Sequence, residues 1–328
     1  MIRSADTHVR ATIYSEEIKR LLMADLMAGK WCKWITPDFG HGTTYSVPSI
    51  GQPMVKDWNE NIDTTSSSRD IGEFTMIVDE DVYTQDTITD KAKEDSYFLD
   101  QQYGKSQFVA DQVRVLNEYL ETSLLKAAGP GAKSGGGQTT ANANRVNGAD
   151  HRFNGTGASR VITINDFHYA RSALSRANVP GQGLVAVVDE SVAYEISKIA
   201  TNVLSPVPMY NDVITSGVVG ANSQFRFNIA GFDVYVSQYL WQLTATEAIT
   251  HAGASVTAQV GDVQNLFFAV PSADFAPFRG VMRRAPRTEM ERAALKGGGM
   301  ETMVTTMRFG VKLYRPENLV AINTNAAL

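Results

Sequence analysis

Residues 178–240 constrain the fold of this chain more than any other segment. The block begins with a Pro/Gly turn, continues as an apolar strand over Leu184–Val188 and passes directly into a helix that Asp189 opens. It ends in a β-rich run, FRFNIAGFDVYVSQYL, that turns at Gly231. A strand that leads straight into a helix often borders a ligand crevice in α/β proteins. The turn between them, VVDES, lacks a glycine cradle, so we do not expect it to capture phosphate.

The composition is that of a folded protein with a substantial core. The chain has 328 residues, 43% hydrophobic and 20% charged, and this length predicts about two domains. No apolar run reaches the roughly 20 residues that a membrane-spanning helix needs, and the N-terminal sequence lacks a secretory signal, so we expect no membrane partner. The single cysteine, Cys32, excludes an internal disulfide and fits a reducing compartment. A net charge of −5 argues against a protein that wraps nucleic acid with a basic face.

The N-terminal quarter is expected to contain little core of its own. Its pattern predicts an arm over residues 1–33, with a short amphipathic helix over residues 12–30. Residues 34–82 hold strand-like pieces at Thr43–Val47 and Phe74–Val78 around a polar stretch, which predicts a long β-hairpin. A long hairpin with a polar tip buries little by itself, so it needs a partner to be stable.

The next region, residues 83–160, predicts a long helix and then a flexible junction. Residues 86–128 are expected to be mostly helical, ending at Gly129-Pro130. Residues 129–160 are rich in Gly, Ser, Asn and Thr, which indicates a loop or a domain junction. The helical assignment depends on an apolar stripe with a 3.6-residue period, made by Val109, Val113, Leu116, Leu120 and Leu124.

Residues 161–262 then resemble a separate α/β unit. A helix capped by Asn165 or Asp166 is expected to run to about Ala177, before the strand, helix and hairpin of the 178–240 block. The Thr201–Ser223 stretch within that block is a Pro/Gly-rich loop. Residues 263–328 are expected to contribute late strands, at Leu266–Val270, Glu301–Tyr314 and Leu319–Ile322.

No motif predicts a catalytic, cofactor or metal site. The Gly-Lys-Ser run at residues 104–106 lacks the upstream glycine of a phosphate-binding loop. Cys32 has no identifiable histidine base, so we expect it to pack beside Trp31 and Trp34. The acidic run at residues 79–81 does not alternate as calcium ligands do, and is expected to face solvent or an interface. The histidines lack ligand spacing and are expected at surface or capping positions; they are His8, His41, His151, His168 and His251.

Charge is distributed unevenly along the chain. Residues 57–100 hold 13 acidic and 3 basic side chains, whereas residues 279–296 hold 6 basic and 2 acidic ones. Exposed ion pairs inside one subunit contribute only about 0–1 kcal/mol each, whereas complementary patches on different subunits steer them together and fix their register. The pattern fits a self-assembling protein, and two separately solvated faces are the alternative. The basic segment could also face packaged nucleic acid or a scaffold partner.

Three motifs follow one another along the chain: NVPGQGLVAVVDESVAYEI, IAGFDVYVSQYL and RFGVKLYRPENLVAI. In that order they resemble the N-P…R-V-A-V-V-D-P…Y block, the G-F-x-V-Y-x-S-N-x-L strand and the last strands of the tailed-bacteriophage major capsid protein family, which has the HK97 fold. The resemblance covers nearly the whole chain and implies an α+β fold. It makes residues 1–33 the N-terminal arm and residues 34–82 the extended E-loop hairpin. Residues 83–160 become the peripheral domain with its spine helix, residues 161–262 the α/β axial domain, and residues 263–328 the return to the peripheral domain.

The same resemblance implies a structural protein rather than an enzyme. Such a protein self-assembles as pentamers and hexamers into an icosahedral capsid that encloses double-stranded DNA without sequence specificity. The expected location is the virion, after assembly in the host cytoplasm. Many family members carry an N-terminal scaffolding segment, and little sequence precedes the hairpin here, so the resemblance implies a separate scaffolding protein or none. It also implies a portal and possible decoration proteins as partners. Some family members crosslink a loop lysine to an asparagine, and Lys56 and Asn318 are the corresponding residues here, although a solvated lysine is expected.

A shell protein must expose apolar groups that only its neighbours can cover, and head-to-tail interfaces of this kind close into rings. We expect inter-subunit contacts from the hairpin and the basic segment, at Met54, Trp58, Ile62, Arg69, Arg279, Arg283, Arg284 and Arg287. Two alternatives stay open. One is an encapsulin-type compartment with the same fold and a protein cargo, and the other is a soluble α/β enzyme or binding domain.

Overall fold

The computed structural model of the protein describes residues 26–36, 42–51, 53–58, 60, 63, 66, 68–69, 71–95, 102–129, 145–202, 225–251, 254–293 and 299–325. Most of the predicted N-terminal helix and most of the predicted Thr201–Ser223 loop lie outside these residues. The helices are α1 (Asp90–Asp95), α2 (Gln102–Lys126), α3 (Ile164–Arg176) and α4 (Glu190–Asn202). Single 3₁₀ turns occur at Ala28–Trp31, Ala158–Arg160, Ala273–Phe275 and Pro316–Asn318. The strands are β1 (Cys32–Trp34), β2 (Thr44–Ile50), β3 (Ile71–Ile77), β4 (Glu80–Thr89), β5 (Arg145–Val146), β6 (Ala149–Asp150), β7 (Arg152–Asn154), β8 (Leu184–Val188), β9 (Phe225–Ile229), β10 (Phe232–Val236), β11 (Glu247–His251), β12 (Ala254–Ala258), β13 (Val263–Ala269), β14 (Phe278–Ala293), β15 (Met300–Leu313) and β16 (Leu319–Thr324).

A six-stranded mixed sheet, in the order β7-β16-β13-β8-β10-β9, forms one half of the fold. Its strand β8 is apolar throughout because both faces of the sheet are covered. On one face Val185 and Val187 join the core cluster that contains α2, and on the other Ala186 and Val188 join the cluster that contains α3 and α4. The sheet is thus the wall that separates two hydrophobic cores.

The second sheet has four strands in the order β1-β14-β15-β4, and α2 packs against it. Leu116 and Leu124 of α2 share a core cluster with Met307 and Phe309 of β15. The side-chain amide of Gln112 donates to Asp86 Oδ2 at 2.6 Å and accepts from the Thr305 hydroxyl at 2.6 Å, so a polar chain also joins the helix to this sheet. Because the cluster includes residues of β8 and β13, the two sheets share one core.

Several predicted elements are confirmed. The strand over Leu184–Val188 is present, followed by α4, and the side chain of Asp189 accepts a hydrogen bond from the Ser191 N–H at 3.1 Å. The hairpin of β9 and β10 turns at Gly231, whose φ of 87° favours glycine. The helix predicted to run to about Ala177 is also present, but the predicted cap at Asn165 or Asp166 is wrong. The helix begins at Ile164 and its cap is Thr163, because Asp166 lies one turn inside the helix, where it completes a capping box.

Other predictions are wrong. Residues 86–89 were expected to be helical and belong to β4, because they pair with β15 across the sheet. The 16-residue strand β14 and the β11–β12 hairpin were not predicted. The junction predicted over residues 129–160 includes β5, β6 and β7, where Arg152 and Phe153 are fully buried.

The six-stranded sheet also crosses the predicted domain boundaries. It takes β7 from the region before residue 161 and takes β13 and β16 from the region after residue 262. The division of the chain into peripheral and axial domains therefore stays a proposal. Among the described residues, no helix combines the length and apolar character that membrane spanning requires.

Candidate assembly interface

The predicted hairpin exists as the pair of β2 and β3, in register from Thr44 opposite Ile77 to Ile50 opposite Ile71. Its base is anchored to the rest of the subunit. Met76 and Val78 are buried in a small cluster with Ile35 and Val281, and the Phe74 ring packs edge-on against Tyr314 at 4.8 Å between ring centroids. Lys312 Nζ donates to the Thr75 carbonyl at 2.7 Å. These contacts fix where the hairpin leaves the subunit.

Beyond its base, the hairpin exposes large apolar side chains. Trp58 and Met54 are each 74% exposed, Val55 is 98% exposed, and the facing pair Ile50 and Ile71 is also largely exposed. Scattered exposed apolar residues are ordinary, but a concentration of them marks an interaction surface. The hairpin therefore carries an apolar surface that the described part of the subunit leaves exposed.

The structure places the predicted hairpin contacts as follows. Met54 and Trp58 lie on this exposed surface, and Arg69 is also exposed. Ile62 lies outside the described residues. Sequence reasoning did not predict Ile50, Val55 and Ile71 as contact residues. The available signal was an apolar residue near the outer end of a hairpin strand that has no core to pack against.

The basic segment is the strand β14, and its arginines do not form one uniform patch. Arg279 is half-buried, with its guanidinium 3.5 Å from the centroid of the Tyr314 ring. Arg284 pairs with Asp81 at 3.1 Å inside the subunit, and Arg287 pairs with Glu289 at 3.3 Å. Arg287 is nevertheless 72% exposed, and Arg283 is also exposed. Their roles between subunits stay predictions.

Some of the predicted charge complementarity is used within one subunit. The acidic and basic segments meet through Arg284 and Asp81, and through Arg292 and Asp90 at 3.1 Å, because β14 and β4 flank the same strand. The bulges of β14 near Pro286 interrupt its pairing with β15. Bulges, proline and exposed arginines are features that keep a strand edge from pairing with another chain indiscriminately.

Cys32 and Glu80, which were considered for catalysis or metal binding, are buried inside the subunit. Cys32 is buried beside Trp34 and Gly280, as predicted, and burial raises the pKa of its thiol, so it is not a reactive nucleophile. Glu80 was expected to be solvated or at an interface, but it is buried and accepts a hydrogen bond from the Tyr119 hydroxyl at 2.9 Å. Within the described part of the chain, no three His, Cys, Asp or Glu side chains cluster as metal ligands would.

The prediction of surface or capping histidines is wrong for His151, which is fully buried. The signal that could have found it is the neighbouring Phe153, an apolar residue in a polar stretch. The suggested crosslink is also disfavoured, because the Asn318 amide is buried. It donates to the carbonyls of Ala269 and Phe275 and accepts from the Ala269 N–H at 3.0 Å.

The end of the N-terminal arm is held on α2 by one carboxylate. Glu121 is buried and accepts hydrogen bonds from the N–H groups of Met27, at 3.0 Å, and Ala28, at 2.9 Å. Burial raises the pKa of Glu121, against the lowering effect of these two hydrogen bonds and of Arg114. The carboxylate therefore caps the 3₁₀ turn at Ala28–Trp31 and joins the arm to the helix.

Comparison with known proteins identifies the fold. No family model matches the chain, and no curated protein matches its sequence. Among solved structures, a chain of Mycobacterium phage Che8 is similar with a TM-score of 0.66 at 15% identity, over 97% of this chain and 98% of that chain. A chain of the cyanophage P-SCSP1u capsid gives 0.64 at 15% identity over 97% and 94%, and one of the Ralstonia phage GP4 capsid gives 0.62 at 11% over 100% and 99%. The predicted α+β, HK97-like capsid fold is therefore confirmed, and identities this low carry the fold alone.

Proposed function

We propose that this chain is a structural shell protein that self-assembles into the capsid of a tailed bacteriophage. The observation that carries the proposal is the hairpin of β2 and β3, which is anchored at its base and exposes Met54, Val55 and Trp58 beyond it. Such a surface does not stabilise a subunit that functions alone. When a neighbouring copy covers it, each large apolar side chain removed from water stabilises the assembly by roughly 1.5–3 kcal/mol. The shared fold with capsid chains over nearly their whole length supports the same conclusion.

A contact of the proposed kind favours closed rings. The hairpin of one subunit and the surface that receives it are different parts of the molecule, so the interface is head-to-tail and repeats around an axis. Rings of five and six subunits then combine into an icosahedral shell. The domain division proposed for this shell places α2 and the four-stranded sheet in the peripheral domain. It places the β8, β9 and β10 part of the other sheet, with α3 and α4, in the axial domain.

We propose that the shell encloses double-stranded DNA without reading its sequence. The net charge of −5 suits containment, because a strongly basic wall would bind DNA tightly and hinder its packing. In this proposal the protein acts through shape and contact and catalyses no reaction. Its partners are further copies of itself, a separate scaffolding protein, a portal and decoration proteins. It assembles in the host cytoplasm and is located in the virion.

Sedimentation and negative-stain electron microscopy of the purified protein test this function. We expect rapidly sedimenting, closed particles, with the scaffolding partner supplied if the chain needs it. Particles isolated from producing cells should contain DNA. Small, uniform particles filled with protein would favour the encapsulin-type compartment. A protein that stays a small oligomer at every concentration and binds a small molecule would contradict the shell proposal and favour an enzyme or binding domain.

A further inference from the structure

An apolar groove of about 250 Å³ lies between α2 and the end of the N-terminal arm. It is lined by Leu26, Met27, Gly29, Lys30, Asn117, Leu120, Glu121 and Leu124. The Glu121 carboxylate does not offer an open charge there, because both of its oxygens accept hydrogen bonds from arm N–H groups. The accessible apolar surface of the groove thus comes mainly from the partly exposed side chains of Leu26 and Leu120, with one amide and one ammonium group in the lining.

The groove suits a single side chain better than a free small molecule. Its volume lies below the range of about 300–1,000 Å³ that is typical of small-molecule sites. An apolar slot with one or two polar groups is the form in which an interface receives an aromatic anchor from its partner. Trp58 is the one tryptophan that the hairpin exposes. It is not seated in the groove of its own subunit, where it is absent from the lining and stays 74% exposed.

We propose, on the basis of the assembly proposed above, that this groove receives Trp58 from the hairpin of a second copy of the chain. The charges around the two partners are complementary. Asp57 and Glu60 flank Trp58, and Lys30 stands at the groove, where its ammonium group can pair with these carboxylates or lie over the indole face. Asn117 supplies an amide oxygen for the indole N–H, which usually finds a hydrogen-bond partner when it is buried.

A disulfide between two subunits tests the contact. We would combine Asp57→Cys with Gly29→Cys, which keeps Trp58 in place, in assembled particles under oxidising conditions and resolve the subunits on a denaturing, non-reducing gel. Gly29 accepts the change, because a Cβ built on it meets no other atom within 4 Å. The native Cys32 does not compete, since it is buried and its pKa is raised. We expect a ladder of linked subunits. The matched pair Val55→Cys with Gly29→Cys should give a markedly weaker ladder.

Filling the groove is the complementary test. Gly29→Leu should lower the yield of closed shells by roughly tenfold or more, as the loss of an interface anchor would. The unassembled subunit should keep its midpoint of thermal unfolding. Gly181→Leu is the matched control, because an added Cβ there also meets no atom within 4 Å, and it should assemble normally.

The outcomes separate this inference from the shell proposal. If wild-type shells form but neither the ladder nor the Gly29→Leu defect appears, the Trp58 contact is wrong and the shell function stands. If Ile18→Cys with Gly29→Cys instead crosslinks within single subunits, the groove holds the chain's own residues 12–25, and the contact is likewise overturned. If the wild-type protein forms no shell under any condition, both proposals fail.

Discussion

His151 shows at the scale of a single residue how the fold uses a histidine without any catalytic role. It lies between β6 and β7, and its Nδ1 is 3.2 Å from the Ala149 carbonyl. Burial lowers the pKa of His151, more than the carbonyls of Ala149 and Glu317 and the charges of Glu317 and Asp150 raise it. Burial therefore favours the neutral form of the ring in the folded subunit.

This lowered pKa predicts acid sensitivity. The unfolded chain, with a histidine pKa of about 6.5, takes up the proton more readily than the folded one. The contribution of His151 to stability is thus complete above that pH and falls as the pH drops through the folded-state pKa. His151→Asn, which keeps a donor toward Ala149, should reduce the loss of unfolding free energy between about pH 7.5 and about pH 5.5. Urea unfolding of unassembled subunits measures this difference.

The exposed His168 is the control for that experiment. His168→Asn controls for the removal of one imidazole, because His168 is exposed whereas His151 is buried. Parallel pH profiles for His151→Asn and the wild type would contradict the argument. Other ionisable groups also change the free energy of unfolding with pH. The test is therefore the difference between each variant and the wild type at the same pH.

Residue-scale prediction from the sequence succeeded where neighbours along the chain decide the surroundings. Cys32 begins the short strand β1, directly after Trp31 and two residues before Trp34, so its packing could be foreseen. The burial of His151 and Arg152 could not be foreseen in the same way. It depends on β7 pairing with β16, about half the chain away, and on β11, whose Glu247 reaches Arg152.

At the scale of elements, polar groups and a ring stack attach the β11–β12 hairpin to β7. The guanidinium of the fully buried Arg152 forms a two-pronged ion pair with Glu247, one arm of which is 2.9 Å. The Asn154 amide donates to the Val256 carbonyl at 2.7 Å, and the His251 ring stacks on Phe153. The hairpin is therefore held on the edge of the six-stranded sheet by a buried charge pair.

Removing one partner of that pair should be costly. Glu247→Ala leaves the buried guanidinium without its counter-charge and should lower the free energy of unfolding by about 3–5 kcal/mol. Arg152→Met should cost less, and the double variant should be more stable than Glu247→Ala alone. Urea unfolding of the wild type, the two single variants and the double variant gives the coupling free energy between Arg152 and Glu247. Simple additivity of the two changes would contradict a charge pair that stabilises this attachment.

Elements were predictable where local pattern and tertiary context agree. The apolar strand β8 and the capped helix after it needed only local signals. β14 escaped prediction because Gly280, Pro286 and its arginines lower strand propensity, while pairing with β15 overrides that preference. The groove beside α2 had no local signal at all, because it exists only where residues near position 28 meet residues near position 121.

At the scale of the whole molecule, the arginines of β14 are available to steer association. Arg287 is the best test, since it is highly exposed and its partner Glu289 lies on the same strand. Arg287→Glu should weaken assembly more at low salt than at high salt, because salt screens exposed charges beyond roughly 10 Å at 0.1 M. Light scattering of assembly reactions at several salt concentrations measures this. The double variant Arg283→Glu with Arg284→Glu also breaks the contact with Asp81, so it needs a parallel measurement of subunit stability.

The hairpin makes the sharpest prediction about the whole particle. Deleting Asp57 to Arg69 removes Trp58 and the tip but keeps the base, where Met76 and Val78 are buried against Ile35 and Val281. The subunits should therefore fold, with an unchanged circular dichroism spectrum, and should fail to form closed shells. Replacing only the polar side chains of the tip with serine, while Trp58 and Met54 stay, should preserve assembly. Normal particles from the deletion, seen by electron microscopy, would show that the shell does not depend on the hairpin, and the proposed assembly mechanism would have to be abandoned.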